Sequence, residues 1–463
     1  MKTTIGTRAW ADLEGDPETL DLVRPPSPPI ALSSTLDVAG ILGDCVGLAT
    51  LAAAEIQVAR GLLPALGPVR VDGARVTTAS QSERHFQLNG EIPEVWAPYS
   101  GFWQVADGWV RTHGNYPHHA ERLAHLLGIA SDSSKDQIAA AIARWSAIDL
   151  EDEAAASGAI AGAVRTSADW AQHPHGQATS RLPLVEWLVT DGAAPRPWAP
   201  TSERPLSGVR ILDLTRVLAG PIATRNLALL GADVLRIDSP HLPETDWIHL
   251  DTGAGKRSTV LDLRVASDHR AFEELLDDAD VVVTGYRPGA LDRLGLSPEA
   301  LSERQPGIVV GSVSAWGRRG PWGSRRGFDS IVQAVTGIAM RVSADGVRPG
   351  ALPAQALDHS AGYLLTAGIC RALRLQRERG GTTCLAVALA GIARELLTTT
   401  GGRTAAVAEP TLQAGTTAAG SLICAMPPLV GPDIPGRYPA LAAPWGSDEP
   451  CWRDQVADRG GAA

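Results

Sequence analysis

Lysine is nearly absent. The 463-residue chain has it only at positions 2, 135 and 256, so arginine supplies almost all of its 41 basic residues. Acidic residues number 51 and the net charge is −10, which argues against general nucleic-acid binding, a function that draws on excess positive charge. The cysteines at 45, 370, 384, 424 and 451 show no CxxC spacing. That pattern indicates neither a zinc site nor a disulfide framework and suits a reducing cytoplasm. No apolar run approaches the roughly 18 residues of a membrane span, and the opening MKTTIGTRAWADLEGD has no signal-peptide core. The expectation is a cytoplasmic protein with no membrane or nucleic-acid partner. A dinucleotide fingerprint is missing too. Where it would need three glycines, the turn in LDLTRVLAGP carries Gly220 alone, which lowers the case for NAD or FAD.

What is present describes an ordinary globular chain, 44% hydrophobic and 20% charged, long enough for two or three domains. Residues 1–30 end in RPPSPP and read as an extended lead. Residues 31–200 hold a long helix over about 36–61, a short strand in GPVRVDGARVTTAS, a hairpin turning at Asp107-Gly108 and helices through 118–173. They predict a smaller α+β domain. The proline-rich VTDGAAPRPWAPTSERPLSG is the domain boundary. Over 205–400 strands and helices alternate, the pattern of a doubly wound, Rossmann-like, mostly parallel sheet. Residues 401–463 have little periodicity and read as an irregular tail. A weak internal repeat aligns Asp44 with Asp358, each expected to open a long helix.

In the sheet half, TRVLAGP places backbone N–H groups and a helix N-terminus at the carboxyl edge, where open α/β sheets bind ligands. Basic residues recur on the neighbouring loops: Lys256 and Arg257, Arg287 and Arg293, Arg325 and Arg326. Singly each reads as a solvated charge; as a set they form a phosphate-binding rim. Asp358, in QALDHSAG, suits a helix cap or a nucleophile favoured by the helix dipole. His113, His118 and His119 match no metal-ligand spacing and read as surface or helix-start residues, so no metal is expected.

Five segments occur in order: LDLTRVLAGPIATRNLALLGADVLRID, GKRSTVLDLR, ADVVVTGYRPGALDRLGLSPEALSERQPGIVVGSVSAWGRRGPW, RRGFDSIVQAVTGIA and ALDHSAGYLLTAGICRAL. Together they resemble the family III CoA-transferases, the CaiB–BaiF group of formyl-CoA transferase, carnitine CoA-transferase and α-methylacyl-CoA racemase. Residues 90–200 resemble the family's smaller domain, placed before the sheet domain instead of after it. The resemblance implies coenzyme A as part of an acyl-CoA substrate and a small carboxylic acid as its partner. It puts Val217 and Leu218 along the adenine and pantetheine path, with Lys256, Arg257, Arg293 and Arg326 toward the phosphates. It makes Asp358 the nucleophile that forms an acyl-aspartyl anhydride and then an aspartyl-CoA thioester. Two departures qualify this. Phe328 stands where the racemases carry a proton-transferring histidine, and LNGEIPEVW, with Glu91 and Glu94, has only Gly90 where a formyl-CoA transferase has a glycine-rich loop. The reading is therefore CoA transfer from an acyl-CoA to an acid. Its alternatives are an acyl-CoA isomerase or racemase on the same scaffold, or a catalytically silent CoA-binding subunit. A smaller domain tethered by one linker predicts an ordinary homodimer or a monomer, without interlocked chains.

Overall fold

The computed structural model describes residues 4–198, 203–401 and 409–455. Its centre is a seven-stranded sheet in the order Val185–Thr190, Thr382–Ala388, Val309–Ser314, Val281–Thr284, Arg210–Leu214, Asp233–Asp238, Arg257–Val260. The last six strands are parallel. Val281–Thr284 is buried along its whole length, as a central parallel strand covered on both faces must be. Val281 and Val283 enter one core with Leu227 and Leu365, while Val282 enters the other with Phe272 and Leu275. The helices Ala219–Leu229 and Ala356–Arg379 thus cover one face and Ala266–Asp277 the other. The doubly wound α/β class follows from this layering.

A smaller domain precedes the sheet half. Its antiparallel strands Gly101–Val105, Gly108–Thr112 and Ala161–Ala163 pack with the helices Pro117–Leu127, Lys135–Ile142 and Ala147–Ser157 around Val110, Leu123, Ile142 and Leu150. A Cβ on Gly162 would stand 2.8–2.9 Å from Val335 and Ile331. Glycine there lets this small sheet lie directly on the helix Asp329–Thr336 of the other half.

Several elements differ from the sequence expectations. Thr4–Asp12 is helical, not extended, because the prolines begin only at Pro17. GARVTTAS is a helix whose first N–H groups are capped by Asp72, not a strand. The long helix Val38–Ala59 is capped by Asp37, so Asp44 lies about two turns inside it and does not open it. This helix is also long and apolar enough to span a membrane, contrary to the reading of apolar runs, yet 78% of that stretch is buried inside the protein. It packs on Ala356–Arg379, fixed by a buried Arg371–Glu55 ion pair of 2.6 Å.

The linker expected at 189–208 begins inside a strand. Val185–Thr190 pairs antiparallel with Thr382–Ala388, Trp187 opposite Leu385, and so closes one edge of the large sheet. Residues 199–202 of that linker lie outside the described residues. The smaller domain is therefore held to the sheet half on both sides, by Val38–Ala59 before it and Val185–Thr190 after it. The tail is ordered where it is described. Leu412–Thr417 and Gly420–Ala425 form a hairpin that pairs with Gln87–Leu88, and Trp452 is fully buried. Residues 402–408 and 456–463 of the tail are outside the described residues.

Candidate functional site

The parallel strands end at Leu214, Asp238, Val260, Thr284, Ser314 and Ala388. Beyond those ends, between the sheet and the smaller domain, lies a cleft of about 480 Å³. This is where an open parallel sheet places its ligand. Gly220 explains itself by packing: a Cβ there would stand 2.4 Å from the Thr215 side chain, so glycine permits the tight passage from strand to helix. The N-terminus of Ala219–Leu229 then meets the cleft at Ala219 and Gly220.

Val217, in the same turn, has φ +68, an unusual conformation for a β-branched residue. It is held there by Glu244, which accepts from the Val217 N–H at 3.0 Å, from Tyr116 Oη at 2.5 Å and from Arg236 at 3.2 Å. Burial alone would raise the Glu244 carboxyl, but Arg236 and Arg216 outweigh it and hold the group ionised. A residue of the smaller domain and the strained turn thus share one carboxylate.

Asp358 lines the cleft from the first turn of Ala356–Arg379. The N-cap residue Gln355 provides no side-chain cap. Asp329 supplies it from the neighbouring helix, accepting the N–H groups of Leu357 at 2.9 Å and Asp358 at 3.1 Å. Its other oxygen accepts from Gln333, whose carbonyl in turn accepts the Leu352 N–H at 3.0 Å. Burial, reinforced by the Asp329 charge, pushes the Asp358 carboxyl well above its usual range. Burial likewise raises Asp329 to about 6. Two buried carboxyls this close do not ionise independently.

The other expected residues divide. Val217 and Arg326 line the cleft. Leu218 is buried in the core and is not among the lining residues. Lys256 is a structural ion pair: its Nζ donates to Asp213 at 3.0 Å, Thr224 at 2.8 Å and the Pro221 carbonyl at 3.2 Å. Burial lowers Lys256 to about 8 despite Asp213. Asp213, although burial raises it, stays low because Lys256, Arg236 and two hydroxyls favour its charge. The shift favours the charge on Asp213 and opposes it on Lys256, yet at about 8 Lys256 keeps its proton at neutral pH and the pair is ionised. Arg257 binds Asp233 and the Cys451 carbonyl. The reason is directional: Lys256 and Arg257 stand where their strand begins, so both start from the amino edge, away from the cleft. Arg293 is exposed in a short 3-10 turn beside the cleft but does not line it.

What does gather there is a set of arginines from distant segments. Arg287 and Arg326 line the cleft from the sheet half and Arg122 from the smaller domain. Arg122 and Arg326 converge over Gly158, whose Cβ would sit 3.1 and 3.4 Å from their guanidinium nitrogens. Burial lowers the Arg326 pKa, and repulsion from Arg287 and Arg122 adds to it. By contrast, Arg325 is paired with Asp152 at 2.6 Å and Arg216 leans on Glu244 at 3.8 Å. Arg122 has no signal in the sequence, since only the docking of the two domains brings it to the cleft.

His113 and His119 are buried, not at the surface, and His118 starts the helix Pro117–Leu127. His113 stacks on Phe328 at 3.7 Å with the rings nearly parallel. Burial holds His113 down at about 3 and His119 at about 2, so both are neutral. No metal-binding cluster occurs among the described residues. Glu91 and Glu94 are exposed and do not line the cleft.

Fold and site together define an α/β protein with a ligand cleft at the carboxyl edge of its sheet, an acidic group at a helix N-terminus and an arginine cluster. Residues 206–421 match the model of CoA-transferase family III. It is 31% identical over 310 residues to the acetyl-coenzyme A transferase nodX of Hypoxylon pulicicidum, covering 61% of this chain and 51% of that protein. It is 34% identical over 197 residues to a probable fatty acyl-CoA transferase of Mycobacterium tuberculosis, covering 39% and 50%. The chain thus spans about half the length of these curated relatives. Among solved structures, a CAIB/BAIF family protein from Brucella suis is 25% identical with a TM-score of 0.40, covering 49% of this chain and 67% of that one.

Proposed function

We propose that the protein moves coenzyme A from an acyl-CoA to a carboxylic acid, with Asp358 as the nucleophile. The observation that carries this is the presence, in one cleft, of a carboxyl at a helix N-terminus and three arginines that no ion pair joins to a described carboxylate. CoA brings phosphates for the arginines. The thioester needs a carboxylate that can form an acyl intermediate and leave again.

The Asp358 carboxylate attacks the thioester carbonyl, the C–S bond breaks, and CoA leaves as thiolate from an acyl-aspartyl anhydride. The thiolate then attacks the aspartyl carbonyl and expels the first acid, leaving an aspartyl-CoA thioester. The acceptor carboxylate attacks that thioester and releases CoA thiolate, which takes the acceptor acyl group and frees Asp358. No net proton is consumed. Asp358 must be ionised to begin, and the positive end of its helix favours that charge while burial opposes it. The raised pKa lowers the ionised fraction but makes the carboxylate that forms a stronger nucleophile, and Asp329 fixes the turn that carries it.

The racemase alternative has less support. Phe328 is a ring stacked on His113, and His113 and His119 are too weakly basic to take an α-proton. The test is exchange of a labelled free acid into its CoA ester. Asp358→Asn should abolish it, and Arg326→Ala with Arg287→Ala should weaken CoA binding by on the order of 1–3 kcal/mol each, more at low salt. CoA binding without exchange in the native protein would leave the silent subunit.

A further inference from the structure

A second cavity, of about 270 Å³, lies behind the wall of the cleft. The wall is one residue thick in sequence: Phe328 faces the cleft and Asp329 faces the cavity. Inside it stands Arg111, on the strand Gly108–Thr112. Its guanidinium lies over Trp96 at 4.7 Å and over Phe102 at 4.9 Å, so two aromatic faces fix its plane. Its Nε is buried without a hydrogen-bond partner, and the Asp329 carboxyl, near enough to favour its charge, forms no ion pair with it. Ser330 and Glu83, which line the same cavity, each carry a buried side-chain oxygen without a partner. Buried polar groups are rarely left in this state; the Arg111 and Ser330 donors call for an acceptor, and Glu83 and Asp329, raised by burial to about 7 and about 6, tolerate an anion beside them in their protonated form.

We propose that Arg111 heads a binding subsite for the carboxylate of a small organic acid. A guanidinium fork held between two rings presents paired N–H donors to a planar anion, the geometry that suits a carboxylate. Ser330 can donate to the same group, and Leu352 and Val95 supply apolar walls for a short carbon chain. The volume lies below the roughly 300–1,000 Å³ usual for larger ligands, so the occupant has only a few carbons. As the waiting place of the acid in the exchange, the subsite rests on the transferase reading; as a carboxylate site it does not. The ring of Trp96 also gives the segment LNGEIPEVW a role, as one wall of this cavity.

The experiment is a calorimetric titration of the full chain with butyrate, followed in parallel by the part of the tryptophan fluorescence that Trp96→Phe removes. Wild type should bind, and Arg111→Gln should lose at least about tenfold in affinity while keeping its CoA affinity and thermal midpoint. Ser330→Ala, a milder change, should lose a few-fold. A CoA thioester with a free terminal carboxylate, compared with butyryl-CoA, distinguishes the source. An Arg111-dependent gain confined to the thioester would place an acyl tail there, not a free acid. Equal butyrate affinity in wild type and Arg111→Gln overturns the proposal, as does inorganic phosphate binding more tightly with the same dependence. Arg111-dependent butyrate binding in a protein that performs no exchange would retain the subsite and remove the transferase. Exchange with butyrate affinity indifferent to Arg111 would do the reverse.

Discussion

Tyr116, from the smaller domain, places its hydroxyl 2.5 Å from Oε1 of Glu244 in the sheet half, and the other oxygen of that carboxylate holds the strained N–H of Val217. The contact between domains and the shape of the cleft turn are thus one hydrogen-bonded unit. Tyr116→Phe should cost on the order of 1–3 kcal/mol of stability, because the bond is made to a buried charged acceptor. It should also raise KM for CoA esters more than it lowers kcat. Chemical denaturation and steady-state kinetics on the same preparation check both; unchanged stability would show that Glu244 is fully served by Arg236.

Lys256 should matter for stability and not for the ligand. Lys256→Ala leaves Asp213 buried without its counter-ion and should cost about 3–5 kcal/mol. Lys256→Met combined with Asp213→Asn should recover part of that loss. CoA affinity, measured in whatever folded fraction remains, should not change. A weakened affinity at unchanged stability would return Lys256 to the phosphate rim.

The rate should rise with pH along a limb set by the Asp329–Asp358 pair. Burial raises both carboxyls, and the Asp329 charge adds to the rise at Asp358. Asp329→Asn removes the negative neighbour but keeps an oxygen to accept an N–H. The limb should therefore move to lower pH while kcat falls, since the Asn amide nitrogen cannot accept from Gln333 and the turn that carries Asp358 loosens. A pH–rate profile decides; a limb that stays in place would mean that Asp329 is neutral in the working enzyme.

Acid should destabilise the fold through its buried histidines. Burial lowers His113 and His359 to about 3, His119 to about 2 and His249 to about 4. Below the unfolded value near 6.5 the unfolded chain binds protons that the folded one refuses, so stability falls as pH falls. Glu83 and Asp329, raised by burial to about 7 and about 6, act in the opposite sense between those values and their unfolded ones. Below about pH 4.5 that opposition is spent, the carboxyls held low at Asp213 and Glu244 add to the histidines, and the decline should steepen. Thermal midpoints measured from pH 7 to pH 3 test this, with His113→Phe expected to flatten the acid limb.

Six parallel strands were legible because buried strands such as ADVVVTG and GIVVGSV are apolar runs bounded by turns, which periodicity reads well. The place of Asp358 on the cleft was legible only through its motif, since LDHSAG by itself reads as a helix cap. Lys256 and Arg257 misled because the sequence says that a loop is basic, not which edge of the sheet it leaves from. The strand Val185–Thr190 was hidden by the prolines that follow it, and its burial is uneven because it is an edge. The arginine cluster could not be read at all: Arg122 and Arg326 are two hundred residues apart and meet only after the domains dock.

The helix Val38–Ala59 lies against Ala356–Arg379, and that pairing sets a timetable for synthesis. A ribosome adding about 5–20 residues per second delivers the second helix tens of seconds after the first. For that interval a long apolar segment is outside the ribosome without the surface that will bury it. The protein's early half should therefore lean on chaperones in the cell, and its folding should complete only when the last third of the chain has emerged.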